Sequence, residues 1–420
     1  MIQAQGIPPA PVCLGPGKRT ISKISHFFRI VPSLISCFYR ILHTAQGNKY
    51  AAQGKKYGVD YMNILILTGS FGMGHNSAAS AIAEKIKAEY EDANIFIEDL
   101  FSETLKINNY SLPYSIFMRY GKSLYNFAYR CTEDSGVVTK LPFNTFFQHV
   151  LHKLINKTGA DIVISTYSGC SKAVSEYKRL TKSNVPFISC ITDVALHGTW
   201  LQPGTDLYLV AAPATKEELV AKGVLPQRIV VSGVPVRDEF DRVSARKVLS
   251  GEKRLLIMGG GLGLLPSTKD FYEEINQLSG VKTTVITGKN DKLFKTLDGK
   301  YENIEVLPFV DDMPRYMKEA DLLLSKPGGI TMFEAISAEL PLLIFPPFLQ
   351  QEIKNGQFIL DNGIGDILPD DEGAWSKKIG DMLEDCGQQA SIRESMKALK
   401  KTFDERALLH AIGKYERQCA

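Results

Sequence analysis

The sequence predicts an α/β protein of two Rossmann-like domains, each a parallel sheet covered on both faces by helices. Three observations carry this. At 420 residues the chain exceeds what one hydrophobic core ordinarily supports. From Asn63 onward, short apolar runs alternate with helical patterns, the order that builds parallel sheets. The plan then occurs a second time. With 44% hydrophobic and 23% charged residues the chain is that of a folded globular protein.

In the first half the strand runs are ILIL (64–67), NIFIE (94–98), DIVIS (161–165), PFISCI (186–191), DLYLV (206–210) and RIVVS (228–232). In the second they are RLLIM (254–258), TTVIT (283–287), IEVL (304–307), DLLLS (321–325) and PLLIF (341–345). A joint falls near GVPVRDEF, Gly233 to Phe240. The expected division is a tail of residues 1–61, an N-terminal domain of 62–235 and a C-terminal domain of 236–420 with terminal helices.

The tail holds eight Lys/Arg against one acid, while the remainder carries a net charge of −4. The body of the protein is therefore not expected to bind nucleic acid. Ile21, Ile24, Phe28, Val31, Ile35, Phe38 and Leu42 recur at alternating steps of three and four, with Lys23, Arg29 and Arg40 off that seam. This describes a basic amphipathic helix suited to an anionic membrane surface. The alternative is an upstream extension, because Met62 stands directly before the first strand. No run of 18 apolar residues exists to span a bilayer. Seven cysteines, odd in number and without a C-x-x-C pair, argue against a disulfide framework and a structural zinc site, and fit a reducing compartment.

Ligands of such sheets bind at the loops that leave the carboxyl ends of strands. The first such loop, GSFGMGH, carries Gly69, Gly72 and Gly74, then His75 at a helix start. Glycines let backbone approach a bound group, and a neutral imidazole at a helix N-terminus can serve as a general base. A capping or packing histidine is the plainer reading. The loop also resembles a dinucleotide fingerprint, with Asp99 as ribose partner, but its spacing is G-x-x-G-x-G rather than G-x-G-x-x-G. The segment 109–130 mixes aromatics with Arg119, Lys122 and Arg130, which suits either a membrane-facing surface or a buried helix pair. In TDVALHGTW, Asp193 is placed to orient an imidazole or contact an acceptor hydroxyl, and His197 and Trp200 to line a cleft; a cap and a core histidine are the alternatives.

In the second half, Gly259, Gly260 and Gly261 follow the first strand. In SKPGGITMFEA, Gly328 and Gly329 open a helix whose free N–H groups suit a diphosphate, and Glu334 lies a turn further, where a carboxylate can accept from vicinal ribose hydroxyls. Gln351, Glu352 and Asn355 of PPFLQQEIKN offer the paired donors and acceptors that sugar hydroxyls need, or else form a solvated helix start. Asp311 and Asp312 read as a helix start, and no D-x-D pattern adjoins a donor loop.

From Met62 to Cys419 the order GH, TDVALHGTW, GVPVR, MGGGLG, VITGKN, FVDDMP, KPGGITMFEA and Q-E-x-x-N resembles the monogalactosyldiacylglycerol synthase and processive diacylglycerol glucosyltransferase family, related to the murein-precursor N-acetylglucosaminyltransferase. The resemblance implies a GT-B fold with two sheets facing a central cleft. It also implies inverting transfer of a hexose from a UDP-sugar, held by the C-terminal domain, to a lipid acceptor held mainly by the N-terminal one. The family's base falls on His75, its ribose acid on Glu334, and its donor-sugar contacts on Gln351, Glu352 and Asn355. No metal or other cofactor is expected, and the implied location is the cytoplasmic face of a membrane, held peripherally. A UDP-sugar epimerase or hydrolase, or an N-acetylglucosaminyltransferase, is the alternative on the same fold. The sequence departs from the family in its 61-residue extension and in Phe333, where smaller residues are common.

Overall fold

A computed structural model describes residues 61–69, 74–105, 144–241 and 251–419. The basic tail, Gly72 and the aromatic segment 109–130 lie outside them. The first half runs β1 (Asn63–Thr68), α1 (Gly74–Glu89), β2 (Asn94–Asp99), α2 (Leu100–Leu105), α3 (Asn144–Thr158), β3 (Ile162–Ser165), α4 (Ser168–Thr181), β4 (Phe187–Cys190), β5 (Leu207–Val210), α5 (Pro213–Ala221), β6 (Ile229–Val231) and α6 (Asp238–Asp241). The second runs β7 (Lys253–Met258), α7 (Lys269–Asn276), β8 (Val281–Ile286), α8 (Asp291–Leu297), β9 (Ile304–Leu307), α9 (Met313–Glu319), β10 (Leu322–Ser325), α10 (Gly329–Ser337), β11 (Leu342–Ile344), α11 (Gln350–Asp361), β12 (Gly365–Ile367), α12 (Trp375–Glu384), α13 (Cys386–Lys400) and α14 (Ala407–Cys419).

The strands form two parallel six-stranded sheets, in the orders β2-β1-β3-β4-β5-β6 and β12-β11-β10-β7-β8-β9. Their central strands carry continuous apolar stretches where both faces are covered: Ile64 to Leu67 and Leu322 to Leu324 are fully buried. Three strand runs begin with aspartate, and each carboxylate performs the same task. Asp161, Asp206 and Asp321 accept the backbone N–H of Asn63, Phe187 and Arg254, each at 2.8 Å, which fixes where the neighbouring strand begins.

The two halves are joined twice. One crossing is the segment after β6, and the other precedes α14, where the Asp404 N–H donates to Val231 O at 2.8 Å. The final helix returns to the first sheet: Ala407, Leu408 and Ile412 pack with Ile64, Ile66, Ile82 and Ile86. Grouping all the terminal helices with the C-terminal domain therefore needs correction. The apolar stripe of α14 fills the face of the first sheet beside α1, and Arg406 pairs with Glu89 at 2.6 Å there.

Candidate functional site

Between the carboxyl ends of the two sheets lies a cleft of about 500 Å³. Strand order puts it there. In the second sheet the order reverses between β7 and β10, and in the first between β1 and β3, so successive loops diverge and leave a crevice at each point.

His75 stands in the first turn of α1 and lines this cleft. Its Nδ1 lies 2.9 Å from the Thr166 carbonyl oxygen, at the end of β3, and 3.0 Å from Thr192 Oγ1, at the end of β4. A carbonyl can only accept, so Nδ1 carries the proton and Nε2 keeps its lone pair. The Tyr167 ring meets the imidazole edge-on at 5.0 Å, and Thr166 Oγ1 donates back to the His75 carbonyl at 3.0 Å. Burial lowers the imidazole to about 4, against the opposing pull of the Thr166 carbonyl. His75 is thereby held neutral, in one tautomer and one orientation.

Asp193 is buried and belongs to the junction of the two domains. Gln351 Nε2 donates to its Oδ2, and Asn355 Nδ2 to its Oδ1 at 3.4 Å. The imidazole is thus oriented by Thr166 and Thr192, while Asp193 takes its partners from α11. Burial raises the Asp193 carboxyl to about 6, opposed by those two amide hydrogen bonds and by the charge of Lys326.

On the other wall, Gly259, Gly260 and Gly261 follow β7, and Gly260 has a left-handed backbone at φ +67°. Gly328 and Gly329 open α10 at the end of β10. The Gly328 N–H donates to Lys326 O at 2.8 Å, so it is not a free donor for an anion. The first bond of the helix runs from Met332 N–H to Gly328 O, which leaves the N–H groups of Gly329, Ile330 and Thr331 without intrahelical acceptors.

Two glycines serve the meeting of the domains. A methyl group at Gly329 would lie 2.3 Å from Thr192 O and 2.7 Å from Asp193 Oδ1, and one at Gly74 would lie 3.1 Å from Ile330 Cγ1. The absent side chains let α10 and α1 approach end to end.

Glu334 lines the cleft a turn into α10, and burial raises its carboxyl to about 8, with the Arg237 guanidinium pulling the other way. Arg237 is held at the domain joint by Asp311 O at 3.1 Å and the Glu239 carboxylate at 3.4 Å. Gln351, Glu352 and Asn355 all face the cleft from α11. Asn355 also donates to Pro327 O at 2.9 Å, and its own Oδ1 is buried without a hydrogen-bond partner. Lys326, at the end of β10, lies 3.9 Å from Glu352 Oε1.

Other sequence expectations find different places. Trp200 is buried with Ile191, Leu196 and Tyr208, and His197 Nδ1 accepts from the Thr199 backbone N–H at 3.3 Å; neither lines the cleft. Asp99 caps α2 through the N–H groups of Phe101 and Ser102, each at 3.0 Å, which removes the acid that a dinucleotide reading needs. Asp312 caps α9. Phe333 turns into the core against Phe358 and Phe403, away from the cleft. Thr166, Thr192, Arg237 and Lys326 are the site residues that sequence reading left out. Lys326 lies directly before Pro327 and the two glycines of the SKPGG stretch.

Residues 75–236 match the family model of monogalactosyldiacylglycerol (MGDG) synthase, and residues 255–411 match that of the glycosyltransferase family 28 C-terminal domain. The processive diacylglycerol beta-glucosyltransferase of Bacillus licheniformis is 28% identical over 363 residues, covering 83% of this chain and 93% of that protein. The protein of the same name from Bacillus subtilis is 29% identical over 322 residues, 73% of this chain and 83% of its own. Among solved structures, Acinetobacter baumannii MurG is similar with a TM-score of 0.56 at 15% identity, covering 85% of this chain and all of that one. A Staphylococcus aureus MnaA structure with UDP gives 0.55 at 13% identity, covering 85% and 97%. These structural likenesses establish the fold, which is GT-B.

Proposed function

We propose, for a chain that belongs to the GT-B glycosyltransferases built from a monogalactosyldiacylglycerol synthase domain and a glycosyltransferase family 28 C-terminal domain, that it transfers a hexose from a UDP-sugar to diacylglycerol, forming a β-glycolipid. One observation carries the reading. His75 presents an imidazole fixed as the Nδ1–H tautomer to a cleft whose other wall combines a helix N-terminus, Glu334 and the Gln351, Glu352 and Asn355 group. The acceptor hydroxyl oxygen attacks the anomeric carbon on the face opposite the diphosphate, its proton passes to His75 Nε2, and the carbon–oxygen bond to UDP breaks with its electron pair on the leaving group. A single displacement inverts the anomeric centre. The test is incubation with diacylglycerol vesicles and UDP-glucose, UDP-galactose or UDP-N-acetylglucosamine, followed by analysis of the lipid products. Nucleotide release or sugar isomerisation with no glycolipid formed would overturn the reading.

Glu334 supports the ribose. Glu334→Ala is expected to weaken UDP binding by about 1.5 to 3 kcal/mol, the loss typical of charge-assisted hydrogen bonds, with calorimetry as the measurement. Its raised carboxyl adds a pH dependence. Ribose hydroxyls donating to the carboxylate favour the ionised form, so binding below about pH 8 releases a proton. Uridine affinity should therefore tighten as pH rises from about 6 to 8, by at most about tenfold per unit, and Glu334→Gln should flatten the slope.

Without a D-x-D pattern, the diphosphate is assigned to protein groups instead of a metal, a proposal supported by the free N–H groups at the start of α10. Turnover is expected to survive dialysis against EDTA. Loss restored only by manganese or magnesium would transfer the role to an ion. Among the described residues no helix is long and apolar enough to cross a membrane. Diacylglycerol resides in a bilayer, so binding at its surface is part of the proposal, and co-sedimentation with anionic vesicles measures it.

A further inference from the structure

The transfer leaves one buried carboxylate of the cleft unused. Asp193 lies just after β4, in the first domain, yet among the described residues both hydrogen bonds that its carboxylate accepts come from the second. Gln351 Nε2, in the first turn of α11, donates to Oδ2, and Asn355 Nδ2, a turn later, donates to Oδ1 at 3.4 Å. The start of α10 closes against the same group, since a methyl group at Gly329 would stand 2.7 Å from Oδ1. The preceding residue faces the base: Thr192 Oγ1 lies 3.0 Å from His75 Nδ1. One short strand end therefore touches the imidazole with one residue and the polar group of α11 with the next.

We propose that Asp193 is a positioning residue for the transferred sugar, acting through Gln351 and Asn355 so that the strand end that fixes the base also fixes the sugar. The proposal rests on the reading of a UDP-sugar donor with His75 as base. The groups assigned to the diphosphate and ribose, at the start of α10 and on Glu334, belong to the second domain alone, so a nucleotide binds there whatever the first domain does. The sugar end differs, because the side chains assigned to it are held from across the cleft. A glutamine side chain loses much rotamer freedom when it is ordered, and a carboxylate that already accepts its amide N–H removes that loss from the binding step. Asn355 also donates to Pro327 O at 2.9 Å, so the loop after β10, α11 and the end of β4 share one set of bonds. Approach of the domains then brings the anomeric carbon and the base into register together, since both are referred to the same two consecutive residues.

Calorimetry with UDP, UDP-glucose and UDP-galactose in the absence of diacylglycerol measures binding, and turnover with diacylglycerol vesicles measures kcat. Asp193→Asn replaces one acceptor by a donor at constant shape. It is expected to leave UDP affinity unchanged, to weaken the UDP-hexose that is turned over by about 3- to 10-fold, and to lower kcat by about 10- to 100-fold. Gln351→Glu sets two carboxylates against each other and should show the same pattern. Combining the two changes reverses donor and acceptor across the junction and restores the bond, so the double variant should recover most of what either change loses alone. That recovery carries the test even where a single variant has a lowered melting temperature. The proposal is overturned if Asp193→Asn leaves UDP-hexose affinity intact whatever its kcat, since a fall in kcat alone places the carboxylate on the reacting atoms. It is also overturned if UDP weakens as much as UDP-hexose, which makes the carboxylate a support of the second domain's shape, or if the double variant loses the product of the two single losses. A wild-type protein that retains neither UDP nor either UDP-hexose would instead overturn the donor reading itself.

Discussion

His75→Ala is expected to lower kcat by about 10² to 10⁴, the range that a positioned general base contributes, while UDP affinity stays near its original value. The division follows from placement: His75 belongs to α1, whereas the residues proposed to hold the diphosphate, ribose and sugar belong to loops and helices of the second sheet. The pH profile supplies an independent check. A base must be unprotonated, and burial lowers the imidazole to about 4, so kcat at saturating donor should hold through the ordinary imidazole range and fall only as pH approaches about 4. Near-normal turnover by His75→Ala, with a normal melting curve, would remove it as base and pass the role to Asp193, the other titratable side chain at a neighbouring strand end.

The second large effect is expected from the smallest change. Gly329→Ala places a methyl group 2.3 Å from Thr192 O, a separation that no relaxed structure holds, and the atom it meets is backbone. The two domains must move apart there, loosening the Gln351 and Asn355 bonds to Asp193 and shifting Thr192, which contacts His75. Displacement of reacting groups by about 1 Å costs on the order of 10² in rate. Each sheet keeps its own core, so kcat should fall by about that factor with little change in melting temperature. A variant with full activity would show that the end-to-end approach of α10 and Thr192 is not used in turnover.

The sequence revealed most where burial is two-sided. The central strands announced themselves as apolar runs because their side chains are covered above and below, and β12, Gly-Asp-Ile at a sheet edge, did not, having a single apolar residue. The aspartates that open DIVIS, DLYLV and DLLLS were visible, yet their task was not, because a pattern along one strand says nothing about the N–H group of its neighbour. The site was legible as far as strand ends and loops fix it, which brings His75, Glu334 and the α11 polar group to one cleft. Which way a side chain turns is decided by tertiary packing. Trp200 follows a strand end and still enters the core, and Gly74 and Gly329 make room for the opposite domain. Two of the residues left out follow the same logic: Thr166 meets His75 through its carbonyl, which has no signature in side-chain sequence, and Thr192 meets a histidine 117 positions away.

The return of α14 to the first sheet bears on how the protein is made. Synthesis delivers β1 and α1 early, and Ile64, Ile66, Ile82 and Ile86 then wait for Ala407, Leu408 and Ile412. Tyr90 hydroxyl donates to Leu409 O across 319 positions of chain. Until α14 has been synthesised, the nascent N-terminal domain shows an uncovered apolar face, the kind of surface that drives aggregation. A chain interrupted before Ala407 never covers it. The core of the first domain thus closes only after the whole second sheet has been made, so the two halves cannot fold strictly one after the other.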